Sequence, residues 1–134
     1  MNAQPYLSFN GRCEEALKFY HDAVGAETVF LMRFKDGPPK LIPPGGEELI
    51  YHATMRIGDS VLNLNDDLKC ERGPFGGFAM LLHADTEGEA ELFFTRLREG
   101  GAVLMQMTAV PWASRYGIIK DKFGMVWKVQ SGGA

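Results

Sequence analysis

The sequence predicts an α+β protein of two βαβββ modules, whose strands form a concave eight-stranded mixed sheet with a central cavity and helices on the outer faces. Glu15-Ala16 followed by Phe19-Tyr20 returns later in the chain as Glu89-Ala90 followed by Phe93-Phe94. An apolar strand pattern precedes each copy, and Gly-Ala follows each helical run. A repeat of this length is typical of a duplicated module rather than of a solenoid.

Module 1 is predicted to span about residues 4–65. Residues 5–9 are expected to form a strand, and Asn10 is the expected N-cap of the helix that follows. The apolar residues of this helix recur at helical spacing, and Gly25 suits the position just after its end. The other strands are expected at residues 27–34, 49–57 and 60–64, with a tight turn at Gly58-Asp59. Residues 35–48 contain four prolines and three glycines, which predicts a mobile loop.

Module 2, about residues 78–130, follows a connector at about residues 66–77. The spacing Thr86-x-x-Glu89 predicts a capping box, in which each side chain satisfies a backbone N–H at the start of the second helix. Gly100-Gly101 is expected to end that helix. The strands are expected at residues 78–83, 103–107, 113–120 and 125–129, with a turn at 121–124.

The composition limits the classes of function. A chain of 134 residues, 46% of them hydrophobic, fits a single domain, 1–134, with a core of its own. Two cysteines are too few for a disulfide framework; Cys13 is expected to be buried and Cys70 to lie in a polar loop. The net charge of −3 without a basic block argues against binding of nucleic acid. The absence of a signal peptide and of a membrane span predicts no membrane association and a soluble cytoplasmic protein.

Several strings carry a resemblance to a known family. They are Pro5-Tyr6-Leu7-Ser8-Phe9-Asn10-Gly11, Glu14-Glu15-Ala16-Leu17-x-Phe19-Tyr20, His52-Ala53 with Ile57-Gly58-Asp59, and Asp121-Lys122-Phe123-Gly124-x-x-Trp127. With the doubled βαβββ pattern, they make the chain similar to the vicinal-oxygen-chelate superfamily of glyoxalase I, extradiol dioxygenases and bleomycin-resistance proteins. The strings resemble its PhnB-like branch, which is often labelled as a demethylubiquinone methyltransferase-like domain. No glycine-rich strand-to-helix turn suited to a nucleotide-like cofactor accompanies that label.

The resemblance also implies where a metal would be held. Metal enzymes of the superfamily use four His, Glu or Gln side chains from the first and fourth strands of each module. Those positions fall here at about Gln4 to Tyr6, at Asn63, at Phe78 or Ala79, and at Lys128. Neutral amides, an apolar side chain and an ammonium group hold a divalent ion poorly. We therefore predict no metal and no cofactor.

Six residues are candidates for ligand binding, namely Tyr6, His52, Asn63, Trp112, Tyr116 and Lys128. His52 is the candidate catalytic base, because the pKa of histidine is near neutrality, although a half-buried histidine bonded to a backbone carbonyl is an open alternative. Asn63 and Lys128 hold equivalent positions, and together they would suit an acidic ligand, unless Lys128 extends to the surface. Trp112 and Tyr116 could clamp a flat ligand, or fill the core or a dimer interface.

The leading hypothesis is a glyoxalase/bleomycin-resistance-like protein that binds a small organic ligand without metal. The resemblance further implies a homodimer, because the bleomycin-resistance relatives usually complete their cavities across a subunit interface. The alternative is a metal-dependent lyase, isomerase or dioxygenase of the vicinal-oxygen-chelate type. A third hypothesis, a protein-interaction module built on the loop at 35–48, predicts a filled core without a pocket.

Overall fold

The computed structural model describes residues 1–67 and 75–132. The chain divides into two compact units, Met1–Glu71 and Arg72–Ala134. Each unit is a βαβββ module whose four strands form one sheet of mixed strand direction. This confirms the predicted α+β class and its two modules. Cys70 lies outside the described residues.

Unit 1 contains β1 (Tyr6–Ser8), α1 (Cys13–Val24), β2 (Glu27–Arg33), β3 (Ile50–Ile57) and β4 (Ser60–Asn65). The strand order is β1-β4-β3-β2, with β1 parallel to β4 and the other neighbours antiparallel. A two-residue turn joins β3 to β4, as the sequence predicted. The order places the first and last strands of the module side by side.

The two ends of α1 are stabilised in different ways. Gly25 is left-handed, with φ of 73°, and its N–H donates to the His21 carbonyl, which confirms the predicted C-terminal glycine. The predicted N-cap at Asn10 is wrong, because the helix begins at Cys13. The Asp66 carboxylate, at the end of β4, instead accepts the backbone N–H groups of Gly11 and Cys13, at 2.7 and 2.9 Å. A side chain distant in sequence therefore takes over the role of a local cap.

The segment between β2 and β3 contains two short 3-10 turns, Phe34–Asp36 and Pro39–Leu41. Backbone hydrogen bonds close its base, since the Phe34 N–H donates to the Leu49 carbonyl at 3.0 Å. Arg33 fastens the same base to α1, where its Nη2 lies 2.6 Å from Glu14 Oε2. The prolines and glycines thus form a folded loop, and its predicted mobility stays a prediction.

Unit 2 contains β5 (Met80–His83), α2 (Glu87–Leu97), β6 (Ala102–Val110), β7 (Ala113–Lys120) and β8 (Val126–Ser131). The strand order is β5-β8-β7-β6, with β5 parallel to β8. This is the topology of unit 1 repeated with equivalent strands, as expected for a duplicated module.

Two sequence predictions in unit 2 need adjustment. Thr86 Oγ1 accepts the Glu89 N–H at 3.1 Å as predicted, but the Glu89 carboxylate accepts the N–H of Asp85 rather than that of Thr86. The fifth strand begins at Met80, so the predicted start at Phe78 is two residues early. The Phe78 ring instead packs edge-on against Phe75, with ring centroids 6.2 Å apart.

The sequence repeat marks the contact between each helix and its own sheet. Ala16 in α1 and Ala90 in α2 are fully buried, and Tyr20 and Phe94 are buried one helical turn later. A small residue followed by a large aromatic lets each helix lie close to its sheet. In the described part of the chain, no helix is long and apolar enough to cross a membrane.

Candidate functional site

In unit 1, one face of the sheet is packed and the other carries polar side chains. Successive side chains of a strand alternate between the two faces. Leu7, Ala53 and Leu64 are buried and pair with one another across β1, β4 and β3. We call the opposite side the polar face of unit 1; it is formed by Gln4, Tyr6, His52, Thr54 and Asn63.

A chain of hydrogen bonds joins the five residues of the polar face. Tyr6 Oη lies 2.7 Å from His52 Nδ1, and His52 Nε2 lies 3.4 Å from Thr54 Oγ1. Thr54 Oγ1 lies 3.3 Å from Asn63 Oδ1, and Asn63 Nδ2 lies 2.9 Å from Gln4 Oε1. Residues from three neighbouring strands and from the segment before β1 are thereby held in one array.

The chain of hydrogen bonds has a single direction. Asn63 Nδ2 lies 3.5 Å from the Pro5 carbonyl, which can only accept, so the amide nitrogen faces that side and the amide oxygen faces Thr54. Thr54 has one hydroxyl proton and donates it to Asn63. His52 must then donate from Nε2 to Thr54, and its Nδ1 accepts from the Tyr6 hydroxyl. Counting donors in this way assigns the neutral His52 ring to the Nε2–H tautomer.

The electrostatic environment keeps Tyr6 protonated. Partial burial raises the pKa of the Tyr6 hydroxyl, and the nearby Cys13, Tyr51 and Asp67 raise that pKa further. A neutral phenol is the form that can donate to His52 Nδ1. Because its proton is donated to His52, the Tyr6 oxygen can act only as an acceptor toward a group that approaches from solvent.

Aromatic rings lie on both sides of His52. The ring centroids of Tyr6 and Phe30 lie 5.5 and 5.7 Å from that of His52. Tyr6 is 52% exposed and Phe30 is 46% exposed. The polar face therefore combines an ordered row of hydrogen-bonding groups with apolar surface that a ligand could cover.

This arrangement suits binding more directly than proton transfer. Both ring nitrogens of His52 have hydrogen-bond partners, so neither is presented to a reacting atom. The predicted role of His52 as a catalytic base stays a prediction. The alternative of a histidine bonded to a backbone carbonyl is not what the geometry shows, because both partners are side chains.

The three candidates of unit 2 lie in different surroundings. The rings of Trp112 and Tyr116 meet edge to face, with centroids 5.3 Å apart; Trp112 is half exposed, whereas Tyr116 is buried. Lys128 is exposed on β8, where it pairs with Leu81 of β5, and it forms no ion pair with the described residues. Asn63 faces Tyr6 on the corresponding strands of unit 1, so Asn63 and Lys128 do hold equivalent places.

Sequence reasoning missed two residues of this region and misplaced one position. Thr54 completes the hydrogen-bond chain, and it follows His52 by two residues on one strand, so strand alternation could have found it. Phe30 reaches His52 from β2 through a sheet register that local patterns do not reveal. The first-strand position of module 2 falls at Leu81, opposite Lys128, rather than at Phe78 or Ala79.

The doubled module defines the class of the protein. The two mixed four-stranded sheets, each with its own helix, are the α+β architecture of glyoxalase-type proteins. Residues 4–129 match the glyoxalase/bleomycin resistance protein/dioxygenase superfamily. The chain belongs to this superfamily, which confirms the resemblance to the vicinal-oxygen-chelate proteins.

Individual relatives match over nearly the whole chain. Protein YjdN of Escherichia coli K12 is 29% identical over 138 residues, which cover 96% of this chain and 94% of that protein. The crystal structure of protein PA1353 from Pseudomonas aeruginosa is 32% identical, with a TM-score of 0.88 and 98% of each chain covered. The PhnB protein of Bacillus cereus is 25% identical, with a TM-score of 0.84, and the match covers 98% of this chain and 100% of that one.

The residues at the superfamily's metal positions do not fit a divalent ion. Asn63 Oδ1 accepts from Thr54, and Gln4 Oε1 accepts from Asn63, so both neutral oxygens are already engaged. Leu81 and Lys128 supply no ligand atom suited to a cation. Within residues 1–67 and 75–132, no three His, Cys, Asp or Glu side chains are grouped so that they could hold a metal. A stable zinc site needs several such ligands together.

Proposed function

We propose that this protein is a PhnB-like member of the superfamily that binds a small organic ligand on the polar face of unit 1, without a metal. The observation that carries the proposal is the one-way hydrogen-bond chain from Tyr6 to Gln4. Ordering five polar side chains costs conformational entropy, and a fixed array of this kind on an exposed face is expected where a ligand is recognised.

The polar face also indicates the kind of ligand. The Tyr6 oxygen can accept a hydrogen bond, which favours a ligand with an O–H or N–H group. The exposed rings of Tyr6 and Phe30 favour a flat or apolar body beside that group. We therefore expect an aromatic or unsaturated compound with a hydroxyl or amide donor.

Trp112, Tyr116 and Lys128 remain proposed ligand-binding residues of unit 2. The half-exposed indole of Trp112 can stack on a flat ligand, and the exposed ammonium group of Lys128 would suit an acidic group. Ligand binding measured separately for Trp112→Phe and for Lys128→Ala tests these roles. Each substitution replaces an exposed side chain, so folding should be retained.

The test is a thermal-shift screen followed by calorimetry. Purified protein is screened against aromatic metabolites and drugs that carry a hydroxyl or amide donor. We expect several to raise the melting temperature. We expect Thr54→Val to weaken their binding by about fivefold, because the substitution removes both hydrogen bonds that Thr54 makes and so divides the chain in the middle. Thr28→Val, at an exposed position of the neighbouring β2, is the matched control and should bind normally.

Two results would overturn the proposal. One is that no compound of the panel shifts the melting temperature; the other is that Thr54→Val binds as well as Thr28→Val. Elemental analysis of protein purified without chelator tests the metal-free state separately. Stoichiometric zinc, iron, nickel or manganese would favour the alternative of a metal-dependent lyase, isomerase or dioxygenase.

We further propose that the protein is a homodimer in the cytoplasm. The homodimer rests on the superfamily resemblance, and exposed apolar side chains on the edge strand β2, at Val29 and Leu31, are consistent with it. The location rests on the sequence prediction alone. Fractionation of cells that express a tagged chain tests it.

A further inference from the structure

The sheet of unit 2 carries basic side chains on the face that lies opposite α2. None of the strands β5, β6, β7 and β8 contains an Asp or a Glu. Phe94 of α2 packs on Gly117 of β7, which pairs with the buried Val129, and this contact marks the helix side of the sheet. Successive side chains alternate, so Lys120 and Lys128 lie on the opposite side, where both are exposed.

Strand pairing places an apolar side chain on each side of Lys128. Its register partners are Leu81 on β5 and Ile118 on β7. Leu81 is 51% exposed, and Ile118 is half-buried. The ammonium group of Lys128 therefore stands in a row that also offers hydrocarbon surface, which is the combination that an amphipathic anion needs.

Two further basic groups flank this row. Lys120 pairs with Val126, two residues from Lys128, and diagonal neighbours of this kind on antiparallel strands lie about 7–8 Å apart. On the other side of the row, the exposed His83 pairs with Gln130. Gln130 Nε2 donates to His83 Nδ1 at 3.3 Å, so the neutral ring carries its proton on Nε2 and presents an N–H donor.

The positive charge of this face is not balanced within the described part of the chain. Arg115, on the helix side of β7, donates from Nε to Glu91 of α2 at 2.9 Å. Lys120 and Lys128, in contrast, form no ion pair within residues 1–67 and 75–132. Like charges at neighbouring places repel each other, and an anion bound beside them offsets that repulsion.

We propose that Leu81, His83, Ile118, Lys120 and Lys128, here called the basic face of unit 2, bind a small organic carboxylate. The carboxylate accepts from Lys128, and its hydrocarbon part lies on Leu81 and Ile118. The proposal rests on the ligand-binding role proposed above for Lys128 and deepens it by naming the class of ligand. Because the basic face shares no residue with the polar face of unit 1, either site can fail without the other.

Buried neighbours limit the size of the ligand. Tyr116 and Gln130 pair with each other in the next row of the same face, and both are buried. A short aliphatic acid fits the row that remains, so hexanoate is the probe, and its methyl ester is the neutral control of similar shape. At neutral pH hexanoate has neither a ring nor an O–H or N–H group, so it lacks the features expected of a ligand for the polar face of unit 1.

The experiment is an NMR titration of the isotope-labelled full chain with hexanoate at neutral pH. We expect saturable shifts of the amide signals of β5 and β8, and binding of the methyl ester that is about tenfold weaker or absent, because the ester cannot form a hydrogen bond between two charged groups. Added salt should weaken the binding of hexanoate, since exposed charges are screened. Absence of saturable shifts would overturn the proposal, and so would equal binding of the ester.

A pair of lysine variants places the binding on the basic face. Lys128→Gln removes the charge and keeps most of the side-chain length, and it should weaken hexanoate binding about tenfold. Lys18→Gln, at an exposed position of α1, makes the same change of net charge and is the matched control. Equal binding by the two variants would place the ligand elsewhere and refute the site.

Leu81 provides a second pair of variants. Leu81→Glu sets a carboxylate opposite Lys128, where it should compete with the ligand, whereas Leu81→Gln has a similar size without the charge. Because Leu81 is exposed, both variants should fold. We expect Leu81→Glu to bind hexanoate several fold more weakly than Leu81→Gln. Equal affinities would show that the ligand does not lie beside Lys128.

Discussion

The hydroxyl of Tyr6 belongs to the proposed ligand site and also contributes to the stability of unit 1. Its hydroxyl is the first donor of the hydrogen-bond chain, 2.7 Å from His52 Nδ1. Partial burial, followed by its neighbours Cys13, Tyr51 and Asp67, raises the pKa of this hydroxyl from 10.0. Because the pKa of Tyr6 differs between the folded and unfolded states, the contribution of its hydroxyl to stability should depend on pH.

Tyr6→Phe should show this coupling. A raised pKa means that the folded state holds the proton more tightly than the unfolded state. The contribution of Tyr6 is then fully present below about pH 10 and is lost as pH rises through the folded-state pKa. The variant should be about 1 kcal/mol less stable at neutral pH. That difference should narrow when urea unfolding is repeated between about pH 9 and pH 12. A constant difference would contradict the assignment.

Asp66 stabilises unit 1 by linking its helix to its sheet. Its carboxylate accepts three backbone N–H groups, from Gly11 and Cys13 at the start of α1 and from Ile50 at the start of β3. Asp66→Asn places an amide N–H against one of these donors. We expect a loss of about 2–4 kcal/mol in the free energy of unfolding, measured with urea. Asp22→Asn, on the exposed side of α1, should change stability by less than about 0.5 kcal/mol.

Residues of the polar face could be predicted only in part. The sequence pointed to Tyr6, His52 and Asn63, but not to the contacts that join them. Tyr6 and His52 are 46 positions apart and meet because β1 lies beside β4, which in turn pairs with β3. A pairing register of this kind depends on the whole sheet, so a local pattern does not contain it.

At the scale of elements, short sequence motifs correctly predicted those helix ends that are stabilised by residues nearby in the chain. Gly25 ends α1 and Thr86 caps α2 as expected, because each bond is made within a few residues. The start of α1 was missed because Asp66, which stabilises it, lies at the end of β4. The start of β5 was missed because Phe78 packs on another aromatic ring instead of pairing in the sheet.

The contacts that Arg33 makes at the base of the loop between β2 and β3 can be tested by proteolysis. Arg33 Nη1 donates to the Glu48 carbonyl at 2.6 Å, and Nη2 donates to Glu14 at 2.6 Å. Arg33→Ala should speed trypsin cleavage at Lys40 by several fold. Because surface ion pairs contribute little, the variant should lower global stability by less than about 1 kcal/mol.

Arg56→Ala provides the control for the loop. Arg56 also forms an exposed ion pair, with Glu27 at 3.3 Å, but that pair lies at the far ends of β2 and β3. Cleavage at Lys40 should therefore keep its original rate in this variant. If both variants are cleaved equally fast, the Arg33 contacts do not hold the loop closed.

At the scale of the whole molecule, the repeat in the sequence accounts for the topology of both units. Ala16 and Ala90 are fully buried at matching places in the two helices, and each sheet has its first strand beside its last. The modules have nevertheless diverged in chemistry. Tyr6 and Asn63 face each other in unit 1, whereas Leu81 and Lys128 hold those places in unit 2. The duplication therefore made the topology predictable from the sequence. The ligand could not be predicted in the same way, because equivalent places in the two units now carry different side chains.

The proposed homodimer is the prediction that belongs to this scale. Val29 and Leu31 on the edge strand β2, and Leu104 on the edge strand β6, are each at least 39% exposed. Edge strands with exposed apolar side chains are prone to association, and covering them in a defined dimer removes that hazard. Sedimentation equilibrium should give twice the mass of the chain at micromolar concentration. A single-chain mass under these conditions would contradict the homodimer, while ligand binding by the polar face of unit 1 could still hold, because all its residues come from one chain.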